Sequence, residues 1–190
     1  MKMGIGQLGR PDLIYKRQFR WTFEVVNLCG NLTIPENFVK STARPNLDVE
    51  ETSVDFLNVK MFLPGKAVWQ TIDLTYYDVA VRDLDPLWAW VCSVYNVCDT
   101  REPEFAHRSM GSQVGDYAGL GLLTLYDGCG AALERWKLHR CWPKAIDFGP
   151  LDYSSSEVCE VKMTLRYMDV TYEPICPMRT LPQGCCTPCR

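Results

Sequence analysis

The segment from Cys159 to Tyr167 alternates between apolar and polar side chains along its whole length. Its odd positions carry Cys, Val, Met, Leu and Tyr, and its even positions carry Glu160, Lys162, Thr164 and Arg166. A period of two residues is typical of a β-strand with one buried face and one hydrated face. The hydrated face carries charges of both signs, which suits a wall that must stay wet, as in a barrel or a pore.

Other segments repeat this pattern. Strands are predicted over Arg20–Leu28 and Ala67–Asp78, and a hairpin is predicted over Gly121–Arg140, with its turn at Asp127–Gly130. In the second of these strands, one face carries Val68, Ile72, Leu74 and Tyr76, and the other carries Thr71, Asp73, Thr75 and Tyr77. A corner is expected at Trp142-Pro143, before one long final strand that ends near Tyr172.

The remaining elements are one helix and one projecting hairpin. Asp85-Pro86 is a helix start, and apolar residues then recur at three- and four-residue spacing, so a helix is predicted from Pro86 to Val97. The charged stretch from Thr42 to Leu63 is interpreted as a long hairpin, with turn chemistry at Pro45-Asn46 and Pro64-Gly65. We therefore predict a mainly β fold: an antiparallel β-sandwich or barrel with one packed α-helix and a long projecting hairpin.

The bulk properties limit the function classes. The 190 residues suit one domain over residues 20–173, between an N-terminal arm (1–19) and a Pro/Cys-rich extension (174–190). A net charge of −3 lacks the basic footprint of a sequence-reading nucleic-acid binder. No run approaches the ~18 apolar residues that span a bilayer, and the first residues lack the apolar run of a secretory signal. We therefore expect folding in a cytoplasm.

Ten cysteines are many for a chain expected in a reducing compartment. They are free, or bind metal, or oxidise later elsewhere. Cys159 is expected to be buried on the apolar face. Six cysteines fall at surface positions, where a thiol more easily finds a partner on a neighbouring subunit: Cys92, Cys129, Cys176, Cys185, Cys186 and Cys189. Two alternatives stay open: a zinc-stabilised cytoplasmic binding module that uses the tail cysteines, and a thiol enzyme built on Cys141 and His139.

The order of these elements resembles a known family. Strand, charged hairpin, strand, helix, hairpin, Trp142-Pro143 corner and the turn at Asp152–Ser156 occur between Arg20 and Tyr172. This segment resembles the tail tube proteins of contractile-tailed bacteriophages, which are related to the tubes of phage-derived injection devices and type VI secretion. The resemblance implies two antiparallel sheets closing towards a barrel, hexameric rings stacked into a tube inside a contractile sheath, and DNA ejection through the lumen. It implies no catalysis and no cofactor.

The resemblance also implies sites and partners. The candidates for lining the lumen are Glu160, Lys162, Thr164, Arg166, Thr71, Asp73 and Thr75. The hairpin that reaches the adjacent ring would include Thr42, Glu50, Glu51, Asp55 and Asn58. The expected partners are further copies of the chain, the sheath, tape measure, baseplate and terminator proteins, and genomic DNA that passes without specific binding. The expected location is the virion tail, assembled in the host cytoplasm. A baseplate or terminator ring is the alternative within the family.

Overall fold

The computed structural model describes residues 16–26, 33–79, 86–95 and 117–175. Within these ranges it contains nine strands, one α-helix (α1) and a short 3-10 helix over Glu36–Phe38. The strands are, in order, β1 (Trp21–Val26), β2 (Val39–Thr42), β3 (Leu47–Phe56), β4 (Val59–Trp69), β5 (Ile72–Tyr77), β6 (Gly119–Tyr126), β7 (Ala132–Asp147), β8 (Glu160–Arg166) and β9 (Asp169–Pro174). The prediction of a mainly β, antiparallel fold with one helix and a long hairpin is confirmed.

Seven strands form one antiparallel sheet, and β3 and β4 form a separate hairpin. The order in the sheet is β1-β6-β7-β8-β5-β2, and β9 pairs with β7 beside β8. An isolated bridge between Val25 and Ile34 brings the chain after β1 back to the edge of β1. Buried residues from β1, β6 and β7 and from β5 and β8 belong to one cluster, so the two halves of the sheet share one core.

The core follows from the alternation. Ile72, Leu74 and Tyr76 of β5 are paired with Leu165, Met163 and Val161 of β8, and all six side chains are at most 2% exposed. The other layer contributes residues from β1, β6 and β7, among them Phe23, Val25, Leu123, Leu125 and Leu138. The predicted inward faces of β5 and β8 are thus confirmed within the paired strands, but Val68 is wrong, because it belongs to β4 of the hairpin and is exposed.

Helix α1 spans Pro86–Val94 and closes one side of the core. Leu87, Trp90 and Val91 are buried, as their spacing predicts, and Trp90 Nε1 donates a hydrogen bond of 2.9 Å to the carbonyl of Tyr117. The predicted N-cap Asp85 and the predicted last residue Val97 lie outside the described residues.

Strand β7 bends where it passes from one layer to the other. Its first part pairs with β6 as far as Cys141, and its second part, residues 142–147, pairs with β8. The bend lies at Arg140, whose φ of 52° is rare for a residue with a side chain. The corner predicted at Trp142-Pro143 is therefore slightly misplaced, because both residues already pair with β8 as part of β7.

The predicted final strand is divided in two. β8 and β9 run one after the other along β7, and the break between them lies opposite the bend of β7. The prediction that Cys159 is buried is wrong, because β8 begins only at Glu160 and Cys159 is exposed in the preceding loop. An alternating pattern fixes a face only where the residues are paired in a sheet.

The hairpin begins and ends several residues later than predicted and turns elsewhere. It runs from Leu47 to Trp69, so Ala67–Trp69 belongs to β4 and not to the following strand. The predicted turn at Pro64-Gly65 is wrong, since these residues lie inside β4 and the turn is at Leu57-Asn58. Between the pairs Val49–Ala67 and Glu51–Pro64, β4 has one residue more than β3. Such a bulge accommodates a proline and a glycine inside a strand.

Candidate assembly surfaces

The predicted lumen residues come together on one face of the sheet. Asp73 is paired with Thr164 and Thr75 with Lys162 in the β5–β8 ladder, and the Thr164 hydroxyl donates a hydrogen bond of 2.7 Å to Asp73 Oδ1. Glu160 and Arg166 lie at the two ends of the same face of β8, and Thr71 immediately precedes β5. This hydrated face consists of Thr71, Asp73, Thr75, Glu160, Lys162, Thr164 and Arg166.

The charges of the hydrated face are balanced and held by neighbours. Glu160 accepts a hydrogen bond from Lys40 of β2, and this bond, despite some desolvation, raises the pKa of Lys40. Arg166 Nη1 donates a hydrogen bond of 3.1 Å to the carbonyl of Trp69. Within the face, Asp73 and Glu160 offset Lys162 and Arg166. The result is a wet surface without a dominant sign of charge.

The sheet that carries the hydrated face has an open edge on each side. Its strands lie in the order β2, β5, β8 and the second part of β7. β2 pairs with β5 on one side, and residues 142–147 pair with β8 on one side. In the described part of the chain, no strand pairs with the other side of either. Unpaired strand edges carry backbone donors and acceptors that another strand can bind.

The hairpin has two unlike faces beyond its bulge. Paired residues share a face, so Val54 lies beside Met61, and Phe56 beside Val59. The opposite face carries the pairs Glu51–Pro64, Ser53–Phe62 and Asp55–Lys60. We call the first surface the apolar hairpin face: Val54, Phe56, Val59, Met61 and Leu63. All five of its side chains are exposed, by 44 to 73%.

The predicted hairpin residues are distributed along this element. Glu50 lies opposite the bulge, Glu51 and Asp55 lie on the more polar face, and Asn58 lies in the turn. Thr42 belongs to β2 instead, where it pairs with Leu74. Their contact with an adjacent ring stays a prediction.

The buried carboxylate of Glu134 binds residues from distant parts of the chain near the base of the hairpin. The sequence analysis did not identify it. The Glu134 side chain carries a charge, yet β7 directs it towards the core and it is only 3% exposed. It accepts hydrogen bonds from Lys16 and from the Tyr172 hydroxyl (3.3 Å), and Arg44 Nη2 lies 3.6 Å from its Oε1. Burial alone raises the pKa of Glu134, but the hydrogen bonds from Lys16 and Trp136 and the charges of Lys16 and Arg44 together outweigh it, so the pKa is lowered.

Side-chain oxygens fix the two turns that the sequence predicts. Asp127 Oδ1 accepts hydrogen bonds from the backbone N–H groups of Cys129 (2.7 Å) and Ala131 (2.9 Å). Asp152 Oδ1 accepts them from the N–H (2.9 Å) and hydroxyl (2.8 Å) of Ser154, and these bonds lower the pKa of Asp152. Both are turns in which an aspartate closes its own loop.

The cysteines divide into several environments. Cys92 is half-buried on α1, and Cys129 is exposed at the β6–β7 turn and is disulfide-bonded. The other four candidates for inter-subunit disulfides, Cys176, Cys185, Cys186 and Cys189, lie outside the described residues. Cys141 and Cys159 are free thiols. Because Cys129 already forms a disulfide, it offers no thiol for a link between subunits, and this part of the prediction is wrong. A role between subunits for the other five candidates stays a prediction.

Cys141 and His139 do not form a nucleophile–base pair. Cys141 is fully buried, its thiol donates a hydrogen bond of 3.3 Å to the Gly119 carbonyl, and burial raises its pKa to about 12. His139 Nε2 instead lies 2.8 Å from the Thr171 hydroxyl. A thiol nucleophile must reach the thiolate form, which this environment suppresses near neutral pH.

The described residues offer neither a metal centre nor a membrane span. No group of three or more His, Cys, Asp or Glu side chains in those ranges is placed to hold a metal ion. No helix in the same ranges has both the length and the apolar character that crossing a membrane requires. The tail cysteines of the zinc alternative are not among these residues.

Comparisons with known proteins were made by sequence and by structure. No protein-family model matches the chain, and no curated protein matches it in sequence. Similar solved structures include the tube-terminating cap of the anti-feeding prophage, with 14% identity, a TM-score of 0.62 and coverage of 90% of this chain and 99% of that one. The sheath/tube terminator of an extracellular contractile injection system has 15% identity and a TM-score of 0.61, with 85% and 98% covered. The sheath-tube complex of such a system has 15% identity and a TM-score of 0.58, with 92% and 100% covered.

At such low identity these likenesses concern the fold. They extend over nearly the whole of each matched chain. The resemblance to tail tube proteins that the sequence indicates is therefore confirmed at the level of structure: the chain has the fold found in tube and tube-terminating components of contractile systems.

Proposed function

We propose that the chain is a non-catalytic structural subunit of the inner tube of a contractile tail or a related injection device. Copies would form hexameric rings that stack inside a sheath. The observation that carries the proposal is the hydrated, charge-balanced face of a sheet whose two outer strands are both open. Similarity in fold to tube and terminator components supports it.

A closed ring of one chain requires two different complementary surfaces on each subunit, because each contact is head-to-tail. The two open edges meet this requirement, since β2 and the second part of β7 lie on opposite sides of the same sheet. Pairing β2 of one copy with residues 142–147 of the next would continue the sheet around the ring. Closure would leave neither of these two edges exposed for aggregation.

The hydrated face would then line the bore. A conduit for DNA should not grip phosphates, because lysine and arginine contacts to phosphate bind strongly at low salt. Lys162 and Arg166 are offset by Asp73 and Glu160 on the same face. Genomic DNA would therefore pass through without specific binding.

The remaining assignments rest on this role. The subunit would contact the sheath along the tube, the baseplate and the terminator at its ends, and the tape measure protein inside. It would be part of the virion tail and assemble in the host cytoplasm. Surface cysteines other than the disulfide-bonded Cys129 would be oxidised by dioxygen after release, two thiols losing two electrons and two protons to form each disulfide between neighbouring subunits, which adds to the cohesion of the ring.

A terminator or baseplate ring is the second candidate. Two of the three similar structures described above are terminating components. Copy number separates the roles: a tube protein occurs in many rings per particle, whereas a terminator occurs in one. Quantitative mass spectrometry of purified particles against the sheath protein measures that ratio.

The zinc-stabilised module remains the rival from a different class. Zinc analysis of the purified full-length chain tests it directly. About one tightly bound zinc per chain favours the module, and a metal-free chain that forms rings favours the tube.

The ring proposal is tested at its edges. Ser41 and Ala145 are exposed, they lie on the two edge strands, and both are paired with residues of the hydrated face, Thr75 and Thr164. If the edges join, lysines at both positions would repel across every interface. The S41K/A145K variant should therefore remain monomeric at concentrations where the natural chain forms rings, as measured by light scattering and negative-stain microscopy.

The control variant differs from the test variant only in the sign of the charge at position 145. The S41K/A145E variant places opposite charges at the same two positions and should form rings like the natural chain. If both double variants assemble equally well, the two edges do not meet. If the natural chain stays monomeric at every concentration, the tube role itself is refuted.

A further inference from the structure

The turn between β6 and β7 carries a cysteine that is bonded to another cysteine. Cys129 is exposed in this turn and is disulfide-bonded. None of the other cysteines within residues 16–26, 33–79, 86–95 and 117–175 is its partner. The bond is therefore made with one of six residues outside those ranges: Cys29, Cys98, Cys176, Cys185, Cys186 or Cys189.

Two of these six cysteines follow elements that lie at the far end of β6. β1 ends at Val26, which pairs with Leu120, and this position is about seven residues, or ~23 Å, from the turn that holds the bonded cysteine. Cys29 comes three residues after Val26, and three residues span at most ~11 Å. Bonded cysteines have Cα atoms no more than ~7 Å apart, so Cys29 falls short. The helix that precedes Cys98 makes its hydrogen bond to Tyr117, also at the far end of β6.

β9, in contrast, ends beside the turn. It runs antiparallel to β7, so its last residues lie along the first residues of β7. The N–H of Ile175 donates a hydrogen bond of 3.1 Å to the carbonyl of Leu133. Cys176 is the next residue in the chain, and Cys129 comes four residues before Leu133. A disulfide between these two cysteines requires no change in the described sheet.

The end of β9 is also held in place by side chains. The rings of Trp136 and Tyr172 lie 4.7 Å apart, and Lys137 donates a hydrogen bond to Glu173. The first cysteine after β9 is thus presented to the turn by a fixed strand. The next cysteine in the chain comes nine residues later, and closing a loop of that length costs additional chain entropy.

We propose that Cys129 and Cys176 of the same subunit form a disulfide that fastens the start of the Pro/Cys-rich extension to the β6–β7 turn. The two thiols lose two protons and two electrons as the sulfur–sulfur bond forms, and dioxygen takes them up and becomes hydrogen peroxide. In a reducing compartment both thiols stay free, so the fastening is confined to oxidising surroundings.

The disulfide has a consequence for assembly. It removes Cys176 from the candidates for links between subunits, because both sulfur atoms are used within one chain. The inference goes beyond the proposed tube function and does not depend on it, since it concerns a single subunit.

Tryptic peptides distinguish the possible partners. Cys129 is the only cysteine in peptide 109–135 and Cys176 the only one in peptide 167–179, whereas the last three cysteines share peptide 180–190. The full-length chain is oxidised in air, its remaining thiols are blocked with iodoacetamide, and the monomer band of a non-reducing gel is digested. We expect mass spectrometry to detect 109–135 joined to 167–179, and reduction of the digest to separate them.

Substitutions test the same bond through stability. In oxidising buffer, C176S should lower the melting temperature by about 5 to 15 °C, because a disulfide that closes a long loop is lost. C129S should have the same effect, and the C129S/C176S double variant should lose no more than either single variant. C159S is the matched control, since Cys159 is an exposed free thiol, and it should change neither the joined peptides nor the melting temperature.

Several results would overturn the inference. Peptide 109–135 joined instead to 180–190, to 21–40, which holds Cys29, or to 83–101, which holds Cys98, would assign a different partner. A link to 167–179 that occurs only in a dimer band would place the bond between subunits. An unlinked Cys129 in the air-oxidised chain would show that no such bond forms. Peptide mapping uses the natural chain, so it decides the question even if a variant fails to fold, and none of these results bears on ring formation.

Discussion

Leu165 and Thr164 are neighbours on β8 with opposite roles, and replacing each with alanine measures the two faces of the sheet separately. The Leu165 side chain is fully buried and belongs to the core cluster. Thr164 is half-buried on the hydrated face and makes one hydrogen bond of 2.7 Å, to Asp73. The two changes therefore differ in mechanism although they are adjacent in sequence.

The expected costs follow from these environments. Leu165→Ala removes about three carbon groups from the core, worth ~0.8 kcal/mol each in transfer alone, and leaves a cavity that adds to the loss. We expect the free energy of unfolding to fall by about 3 to 4 kcal/mol. Thr164→Ala removes a hydrogen bond at a partly exposed site and should cost about 1 kcal/mol or less.

Urea denaturation of the two variants and the natural chain, followed by circular dichroism under conditions that keep the protein monomeric, gives the comparison. Equal slopes against urea confirm that the same surface unfolds in each case. A Thr164→Ala loss as large as that of Leu165→Ala would refute the assignment of faces, because it would mean that Thr164 is in the core. Negligible loss in Leu165→Ala would do the same.

Two further predictions concern stability. Glu134→Gln should lower the free energy of unfolding at pH 7 by about 1 to 3 kcal/mol, because it leaves Lys16 without its carboxylate. The pKa of Glu134 is lowered on folding, so its contribution is present above the unfolded pKa of ~4.3 and is lost as pH falls through the folded pKa. The difference between the variant and the natural chain in urea denaturation should therefore shrink steadily as pH is lowered below ~4.3. A difference that does not shrink over this range contradicts the assignment. Gly149→Ala should lower the melting temperature more than Gly130→Ala does. Both glycines have positive φ (73° and 84°), but only at Gly149 would an added Cβ lie 2.7 Å from the Glu160 carbonyl oxygen. Equal shifts in melting temperature would show that the structure relieves this close approach.

The hydrated face could be predicted from sequence because its cause is local. Along β5 and β8, side chains alternate between the two faces by covalent geometry alone, so the positions of Asp73 and Lys162 follow directly once a strand is assumed. The same reasoning predicts that Cys159 is buried and is wrong, since alternation does not show where β8 begins, at Glu160, and Cys159 is exposed just before it.

Features that depend on residues distant in sequence could not be predicted from the alternation of apolar and polar side chains. The bulge in β4 is visible only from its pairing with β3, so Pro64-Gly65 was interpreted as a turn. Glu134 is close in sequence to Arg135 and Lys137, and this charged segment is typical of a solvated surface. Its burial arises because Lys16, far away in sequence, supplies the compensating charge. A glutamate on the inward parity of a strand otherwise lined by Trp136 and Leu138 is the signal that could have identified it.

The central claim is that the hydrated face encloses a bore, and cryo-electron microscopy of the assembled full-length chain tests it most directly. The account predicts closed rings in which β2 of each subunit pairs with the second part of β7 of the next, with Lys162 and Asp73 facing the lumen. A map in which that face lies on the outside of the ring, or in which neighbouring subunits meet through other surfaces, would contradict it.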